Sequence, residues 1–319
     1  MPDSKTLAVV GATGAQGGGL ARAILADPDG GFACRALTRN PDSDPARALA
    51  DAGAEVVRAD LDDPASVTAA FDGAYGAFCV TNFWEHFSPD REKAQAETLA
   101  QAATTAGLQH VVWSTLEDTR DWVPTSDDRM PTLMGVYTVP HFDAKAEADA
   151  YFRDRGVPTT FLRTSFYWDN FISFGAGPQR TPDGGLALVF PMGDEKLAGI
   201  AVEDIGKTAY GIFQAGDRFV GETVSIAGDH TTLADMAATL SDALGEDIAY
   251  IDVSPDVYRS FPFDGADEIG NMYQVYRDFA SPFLAARDLA ATRALNPDLQ
   301  DFPTWVARNK DRVPIPPAG

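Results

Sequence analysis

The residues best suited to chemistry begin with glycines near the N-terminus. Gly11, Gly14 and Gly17 are spaced as G-x-x-G-x-x-G. They lie between a short apolar run, Leu7–Val10, and a segment of helical composition, Gly17–Ala26. After a strand and before a helix, such a turn lets backbone N–H groups approach a pyrophosphate, and the helix N-terminus adds partial positive charge. We therefore predict that a dinucleotide binds to Gly11, Thr13, Gly14, Ala15, Gln16 and Gly17.

The end of the second predicted strand indicates which dinucleotide binds. An acidic residue at this position bonds a free ribose 2′-hydroxyl, whereas an arginine pairs with a 2′-phosphate. The strand Phe32–Leu37 leads to Arg39, and no acid occurs before Asp42. Arg39 can form two charge-assisted hydrogen bonds with a phosphate. The sequence thus favours NADP(H) over NAD(H).

The ends of the next two strands supply further candidates. Asp60 and Leu61 follow the third predicted strand, and Thr81, Asn82 and Phe83 follow the fourth. Ligands of parallel α/β sheets bind at the carboxyl ends of the strands. We expect the first pair beside the adenine and the other three residues along the ribose and nicotinamide.

These residues are positioned by strand and helix signals that alternate through the N-terminal half. Such alternation predicts a parallel sheet with helices on both faces. The fold class is therefore α/β, a doubly wound Rossmann sheet with a smaller α/β C-terminal domain. Residues 1–170 and about 200–230 are assigned to the nucleotide domain, and about 171–199 and 231–319 to the smaller one. The predicted elements after the second strand are helices at Asp44–Asp51, Pro64–Phe71, Asp90–Ala106, Ala144–Arg155, Leu233–Leu244, Ala266–Phe279 and Leu284–Ala294, and strands at Glu55–Arg58, Ala74–Val80, His110–Ser114, Thr159–Leu162, Val224–Ala227 and Ile248–Val253.

One segment breaks the alternation. Glu117–Pro140 contains three prolines and Gly135 without clear periodicity, which indicates a long loop. Loops of this length in compact domains are usually functional or mobile.

Composition excludes several classes of protein. The 319 residues are 45% hydrophobic, enough for a packed core, and carry a net charge of −22. Nucleic acids and anionic membranes attract positive proteins, so neither is an expected partner. The acidity fits either a salt-rich cytoplasm or a GC-rich genome. The two cysteines lie in apolar runs, none of the four histidines lies in a metal-ligand pattern, and no apolar run spans a bilayer. We expect a cytoplasmic protein without a metal, either a monomer or a homodimer.

Several motifs together resemble the NmrA-like family of atypical short-chain dehydrogenases. Besides the glycine loop, they are Thr38–Pro41, Thr81–Glu85, His141–Lys145 and Phe152–Pro158. The resemblance covers residues 5 to about 312. Within the family, the sequence looks most similar to the NADPH-sensing branch. It implies a Rossmann domain with a smaller C-terminal domain and a preference for NADP(H). It also implies one of two roles, a redox sensor that regulates a protein partner or a reductase of quinones and related acceptors.

The resemblance also suggests catalytic residues. Enzymes of the family use a Ser or Thr after the fifth strand, matched by Ser114, and a Tyr-x-x-x-Lys motif whose lysine is matched by Lys145. His141 stands in the tyrosine position. Imidazole can donate a proton because its unperturbed pKa, about 6.5, is close to neutrality. The alternative is a histidine at a helix N-terminus that bonds a neighbour. The family's nicotinamide-side tyrosine and asparagine correspond to Tyr167 and Asn170, and Tyr167 is a substitute proton donor.

Two functional hypotheses follow. Loss of the motif tyrosine and the long irregular loop favour a cofactor-state sensor, which we place narrowly first. Aromatic residues around the expected nicotinamide site favour the alternative, an NADPH-dependent reductase of a quinone, carbonyl or alkene acceptor, because flat apolar acceptors pack against such rings. The same rings can instead belong to the core. They are Phe83, Trp84, Phe166, Trp168 and Phe171, with Trp122 and Tyr137 from the loop.

Overall fold

The structure is a computed structural model and describes residues 4–317. Its strands are β1 (Lys5–Val9), β2 (Phe32–Thr38), β3 (Glu55–Arg58), β4 (Gly76–Cys79), β5 (His110–Thr115), β6 (Thr159–Arg163), β7 (Phe166–Tyr167), β8 (Gln179–Arg180), β9 (Leu186–Phe190), β10 (Lys196–Ile200), β11 (Thr223–Ser225), β12 (Asp229–Thr232) and β13 (Ile248–Asp252). Its helices are α1 (Ala15–Ala26), α2 (Asp44–Asp51), α3 (Pro64–Phe71), α4 (Pro89–Ala106), α5 (Pro140–Asp154), α6 (Asn170–Ser173), α7 (Val202–Gln214), α8 (Leu233–Leu244), α9 (Pro255–Arg259), α10 (Ala266–Asp278), α11 (Ala280–Ala285), α12 (Leu289–Leu295) and α13 (Phe302–Asn309).

The central sheet has seven strands in the order β11-β6-β5-β4-β1-β2-β3, and each neighbouring pair is parallel. The order reverses between β1 and β4, which leaves a crevice at the carboxyl ends of these strands. The prediction of a doubly wound Rossmann sheet is confirmed. The predicted site residues that follow the first four strands begin one or two positions after each strand ends, at this edge of the sheet.

Helix α1 is fixed against α7 by direct backbone contact. A Cβ on Gly206 would lie 2.1 Å from the backbone nitrogen of Leu20, and one on Gly19 would lie 2.9 Å from the carbonyl oxygen of Glu203. Only glycine permits this approach at either position. The contact anchors the helix whose first turn forms the glycine loop.

The C-terminal region adds two three-stranded sheets, in the orders β12-β10-β7 and β13-β9-β8. The predicted strand near residue 224 forms as β11 and belongs to the central sheet. The predicted helix Leu284–Ala294 is wrong, because the chain breaks into α11 and α12 around Arg287. This side chain is fully buried and donates to the carbonyl oxygen of Thr164, and Asp288 caps the restarted helix by accepting from Ala290 N and Ala291 N. The two-domain boundaries stay a prediction.

The long loop ends at residue 139, since Pro140 begins α5. It is irregular apart from a short turn at Thr119–Asp121 and an isolated bridge between Leu133 and Tyr137, and it is bonded to two helices. The buried carboxylate of Asp143 accepts from the backbone N–H groups of Thr119 and Thr138 at 2.8 Å each. Asn271 on α10 donates to the carbonyl oxygen of Thr138 at 2.7 Å. The loop is thus held to α5 by Asp143 and to α10 by Asn271.

Within residues 4–317, every helix is too short or too polar to cross a bilayer. Both cysteines are buried and unpaired, as predicted, and burial raises the pKa of the Cys34 thiol to about 12.

Candidate functional site

The glycine loop has the backbone geometry that its sequence predicts. Gly11 adopts a left-handed conformation with a φ of +64°, and its carbonyl oxygen accepts from Gly14 N at 2.8 Å. A Cβ on Gly17 would lie 2.4 Å from the carbonyl oxygen of Val10. The turn therefore depends on glycine at both Gly11 and Gly17.

The first turn of α1 is open to an anion. Gly14 is the N-cap, no side chain caps the helix, and no acidic residue lies in its first turn. Thr13, Gly14 and Ala15 are exposed. Unbonded N–H groups and the helix dipole favour a phosphate at such a terminus.

Arg39 lies at the end of β2, as predicted, and it is already paired. Its guanidinium forms two hydrogen bonds with the Glu85 carboxylate, at 2.7 and 3.0 Å. The side chains are 62% and 40% exposed. Water therefore weakens this pair, and an incoming phosphate can compete for the arginine.

The residues after β3 and β4 border the same edge of the sheet. Asp60 and Leu61 are half-buried, and the Asp60 carboxylate accepts from Asp62 N at 3.1 Å. Asn82 is exposed, whereas Phe83 is buried. Asp60 and Leu61 thus follow β3 at the same edge of the sheet where Arg39 follows the neighbouring β2, and Asn82 offers an exposed amide.

Gln16 connects the glycine loop to two predicted catalytic residues. Its Oε1 accepts from Ser114 Oγ at 2.8 Å, and its Nε2 donates to the Tyr167 hydroxyl at 2.7 Å. Thr164 Oγ1 lies 3.2 Å from the same hydroxyl. Burial raises the pKa of Tyr167, so the phenol stays protonated near neutral pH. Gln16 therefore links the Ser114 and Tyr167 hydroxyls.

Lys145 is buried, and its ammonium contacts three acceptors. They are Thr81 Oγ1 at 2.7 Å, the Thr81 carbonyl oxygen at 3.2 Å and Glu92 Oε1 at 2.7 Å. An ammonium group has three N–H donors, so these acceptors can use all of them. To bond a ribose hydroxyl, Lys145 must release one of these partners.

Glu92 was missed by the sequence analysis. Thr81 Oγ1 donates to its Oε1 at 2.5 Å, and His86 Nε2 lies 3.4 Å from its Oε2. Burial alone would raise the pKa of Glu92, but the Lys145 ammonium, the nearby His86 ring and the hydrogen bond from Thr81 lower it to about 2. The neighbouring Lys93 points away and donates to the Tyr137 hydroxyl at 3.1 Å.

His141 occupies the second position of α5, which begins four residues earlier than predicted. Its Nδ1 lies 2.7 Å from Glu268 Oε1, and the same oxygen accepts from its backbone N–H at 2.6 Å. Its ring packs against Trp84 and Phe83, with centroids 4.7 and 5.9 Å away. Glu268, from α10, is a second residue that the sequence analysis missed.

The predicted aromatic surround divides into two groups. Phe83 and Trp84 line the histidine, whereas Trp168 and Phe171 are fully buried against Trp305 and its neighbours in the core. Asn170 begins α6 and is half-buried. The apolar wall beside His141 is therefore smaller than the sequence suggested.

The arrangement fits a nicotinamide dinucleotide along the crevice. Open N–H groups at α1 suit a pyrophosphate, and Arg39 suits an additional phosphate. At the other end lie the Ser114 and Tyr167 hydroxyls, both bonded to Gln16, and the His141 ring, one turn before Lys145 on α5.

Comparisons with known proteins identify the family and the fold of this chain. A model of the NmrA-like family matches residues 3–303. The NmrA-like family domain-containing oxidoreductase FrzB from Cladobotryum sp is 30% identical over 283 residues, 82% of this chain and 80% of that protein. The negative transcriptional regulator NmrA in complex with NADP has the same fold, with a TM-score of 0.77, 23% identity and coverage of 96% of this chain and 95% of that one. An NADPH complex of the quinone oxidoreductase QOR2 from Escherichia coli has a TM-score of 0.69 at 21% identity, covering 96% and 98%.

Proposed function

Because the chain belongs to the NmrA-like family, we propose that it binds NADP(H) in the cytoplasm and reduces an apolar electrophilic acceptor of the quinone class. The observation that carries the proposal is His141, which stands in the tyrosine position with its Nδ1 bonded to a carboxylate. Its Nε2 is then the ring nitrogen that can exchange a proton. Relatives that match most of the chain bear the name oxidoreductase, which supports the same conclusion.

In this proposal the glycine loop binds the pyrophosphate, and Arg39 binds the 2′-phosphate after displacing Glu85. Asp60 and Leu61 border the adenine, and Thr81, Asn82 and Phe83 follow the ribose and nicotinamide. Tyr167 and Asn170 lie on the nicotinamide side. When bound, NADPH supplies a hydride. The protein's own part is to orient the acceptor against Trp84 and Phe83 and to deliver a proton from His141 Nε2.

The quinone class follows from the weakness of the acid machinery. The tyrosine of the motif is absent, and the ammonium of Lys145 is bonded to Thr81 and Glu92. Quinones need less acid assistance than simple ketones because they are more electrophilic. A flat acceptor also matches the two rings beside His141.

The test is to titrate the purified protein with NADPH and NADH and then to follow NADPH oxidation with a panel of quinones, ketones and enones. We expect NADPH to bind more tightly than NADH, and Arg39→Ala to remove most of the difference. Turnover with quinones should fall in His141→Ala more than in Tyr167→Phe. Tight binding without turnover on any acceptor would overturn the proposal, and failure to bind either nucleotide would overturn the dinucleotide site itself.

A second candidate is a sensor that binds NADP(H) and regulates a protein partner. It is favoured by the surroundings of Lys145. Its ammonium already contacts three acceptors, which suits a lysine that holds a bound nucleotide more than one that takes part in proton transfer. A cofactor shifts a conformational equilibrium only if it binds the two states unequally. Limited proteolysis of residues 117–140 and the oligomer mass, monomer or homodimer, measured with and without NADPH and NADP⁺, test this candidate. Unchanged cleavage and mass would exclude it.

A further inference from the structure

The contact between His141 and Glu268 joins the two halves of the chain at the candidate site. The two residues are 127 positions apart, and both are buried, with 6% and 3% of their surfaces exposed. One carboxylate oxygen accepts from both the ring and the backbone N–H of His141. Glu268 therefore caps the N-terminus of α5 and orients the ring at the same time.

The contact fixes which ring nitrogen carries a proton. An ionised carboxylate only accepts hydrogen bonds, so Nδ1 is protonated in both the neutral and the charged imidazole. Within residues 4–317, Nε2 has no hydrogen-bond partner. The proton available for transfer is thus the one on Nε2, and the ring that carries it packs beside Trp84 and Phe83.

The position of Glu268 is fixed by its own helix. Asn271 and Gln274 lie three and six residues further along the same face of α10. Asn271 Nδ2 donates to the carbonyl oxygens of Thr138 and Pro131 at 2.7 and 2.9 Å, and Gln274 Nε2 donates to that of Arg129 at 3.0 Å. These bonds hold α10 against the long loop, so the carboxylate is preorganised and does not depend on a ligand.

We propose that Glu268 is the positioning residue for proton transfer at His141, an inference that rests on the proposed reductase function. The acceptor gains a hydride, two electrons and one hydrogen, from NADPH, which becomes NADP⁺. The acceptor oxygen takes a proton from His141 Nε2, so that N–H bond breaks and an O–H bond forms. The other ring proton stays on Nδ1, hydrogen-bonded to Glu268, and solvent returns a proton to Nε2.

The test compares Glu268→Gln, Glu268→Asp and a matched control, Asp267→Asn, which removes an exposed charge from the adjacent position of α10 and keeps the Oδ1 that accepts from Glu268 N. Glutamine keeps the side-chain volume and can still accept from the His141 backbone, but its NH₂ group can also donate to Nδ1. The first readout is the ¹⁵N chemical shifts of the imidazole nitrogens in the cofactor-free protein. The second is the single-turnover rate of NADPH oxidation with a saturating quinone, and the third is the NADPH dissociation constant.

We expect Glu268→Gln to move the ring proton from Nδ1 to Nε2 in the ¹⁵N spectrum and to slow the single-turnover step about 100-fold, as for loss of acid–base assistance. NADPH affinity should stay within about twofold, since the carboxylate contacts the ring and not the predicted cofactor residues. Glu268→Asp should keep the wild-type ¹⁵N pattern and recover part of the rate. The control should match wild type in all three readouts.

Two other outcomes are distinguishable. If the wild type turns over and Glu268→Gln keeps both its rate and its ¹⁵N pattern, the inference is overturned while the proposed function stands. If no protein oxidises NADPH with any acceptor although all bind it, the proposed function fails and the positioning role fails with it. The ¹⁵N pattern then reports only a structural cap.

Discussion

The two ends of the crevice are built in different ways. At the end proposed for the adenosine, the glycine loop and Arg39 present exposed groups, and the loop's turn is closed by backbone contacts within a few residues. At the end proposed for the nicotinamide, buried side chains are bonded in advance to distant partners. Lys145 bonds Thr81 across 64 positions, and His141 bonds Glu268 across 127. Binding is thus encoded locally, whereas the chemistry depends on the assembled fold.

The largest effect is expected from a substitution at the buried end of the crevice, the end proposed for the nicotinamide. Lys145→Met leaves the fully buried Glu92 carboxylate without its cation, and breaking such a pair typically costs about 3–5 kcal/mol of unfolding free energy. Urea denaturation of the cofactor-free protein measures it. Glu97→Gln is the control, because it breaks the partly exposed pair between α4 and Arg155 and should cost no more than about 1 kcal/mol. Equal losses would mean that the two environments do not differ as described.

The pH dependence of stability sharpens the same contrast. The pKa of Glu92 is about 2 in the folded protein, below its ordinary value of 4.5. A carboxylate whose pKa is lower in the folded protein than in the unfolded chain stabilises the fold at pH values above its ordinary pKa. This stabilisation is lost as the pH falls toward the pKa of the folded protein. The stability gap between wild type and Glu92→Gln should therefore be full at pH 6 and shrink progressively from about pH 4.5 to pH 2. Unfolding free energies across that range check this, and a constant gap would contradict it.

An intermediate effect is expected from the glycine loop. Gly17→Ala brings a methyl group 2.4 Å from the carbonyl oxygen of Val10, and overpacking of this kind costs about 1–3 kcal/mol. NADPH affinity should fall at least about tenfold because the loop must shift. In Gly18→Ala the closest atoms are the flexible end of Arg22 at 3.1 Å and the Ala12 carbonyl oxygen at 3.2 Å, a much smaller overlap, so this control should lose far less affinity. Fluorescence titration distinguishes the two variants.

The smallest effect is expected at the exposed pair. Glu85→Gln removes the carboxylate that occupies Arg39, and exposed ion pairs contribute about 0.2–1 kcal/mol. NADPH should bind up to about fivefold more tightly, with little change for NADH, which has no 2′-phosphate. Paired titrations measure the ratio. Weaker NADPH binding would show that Glu85 supports the site instead of competing for it.

The sequence predicted the Rossmann half well because its signals are local. Helices α2 and α3 have the predicted limits, and Pro64 after the capping Asp63 explains the start of α3. The start of α5 was wrong by four residues. Its N-cap, Val139, provides no side-chain bond, and the capping group comes from Glu268, which no local pattern indicates.

Site prediction followed the same division. The glycine loop and Arg39 could be predicted because residue type and strand position determine their geometry. Glu92 and Glu268 were not, since a carboxylate becomes part of the site only when packing brings it to Lys145 or His141. For Glu92 a weak signal existed: the capping Ser88 before Pro89 places it within the first turns of α4, directly after the strand edge.

The partnership of His141 with Glu268 also bears on how such proteins diverge. The first half of the chain holds most of the predicted cofactor residues, but the ring that moves the proton takes its orientation from the second half. A chimera joining the first half of this chain to the second half of a relative without the carboxylate should keep its nucleotide and lose the orientation of its imidazole. We therefore expect relatives with histidine at position 141 to have a carboxylate at position 268. Relatives with tyrosine at position 141 should not require a carboxylate at position 268.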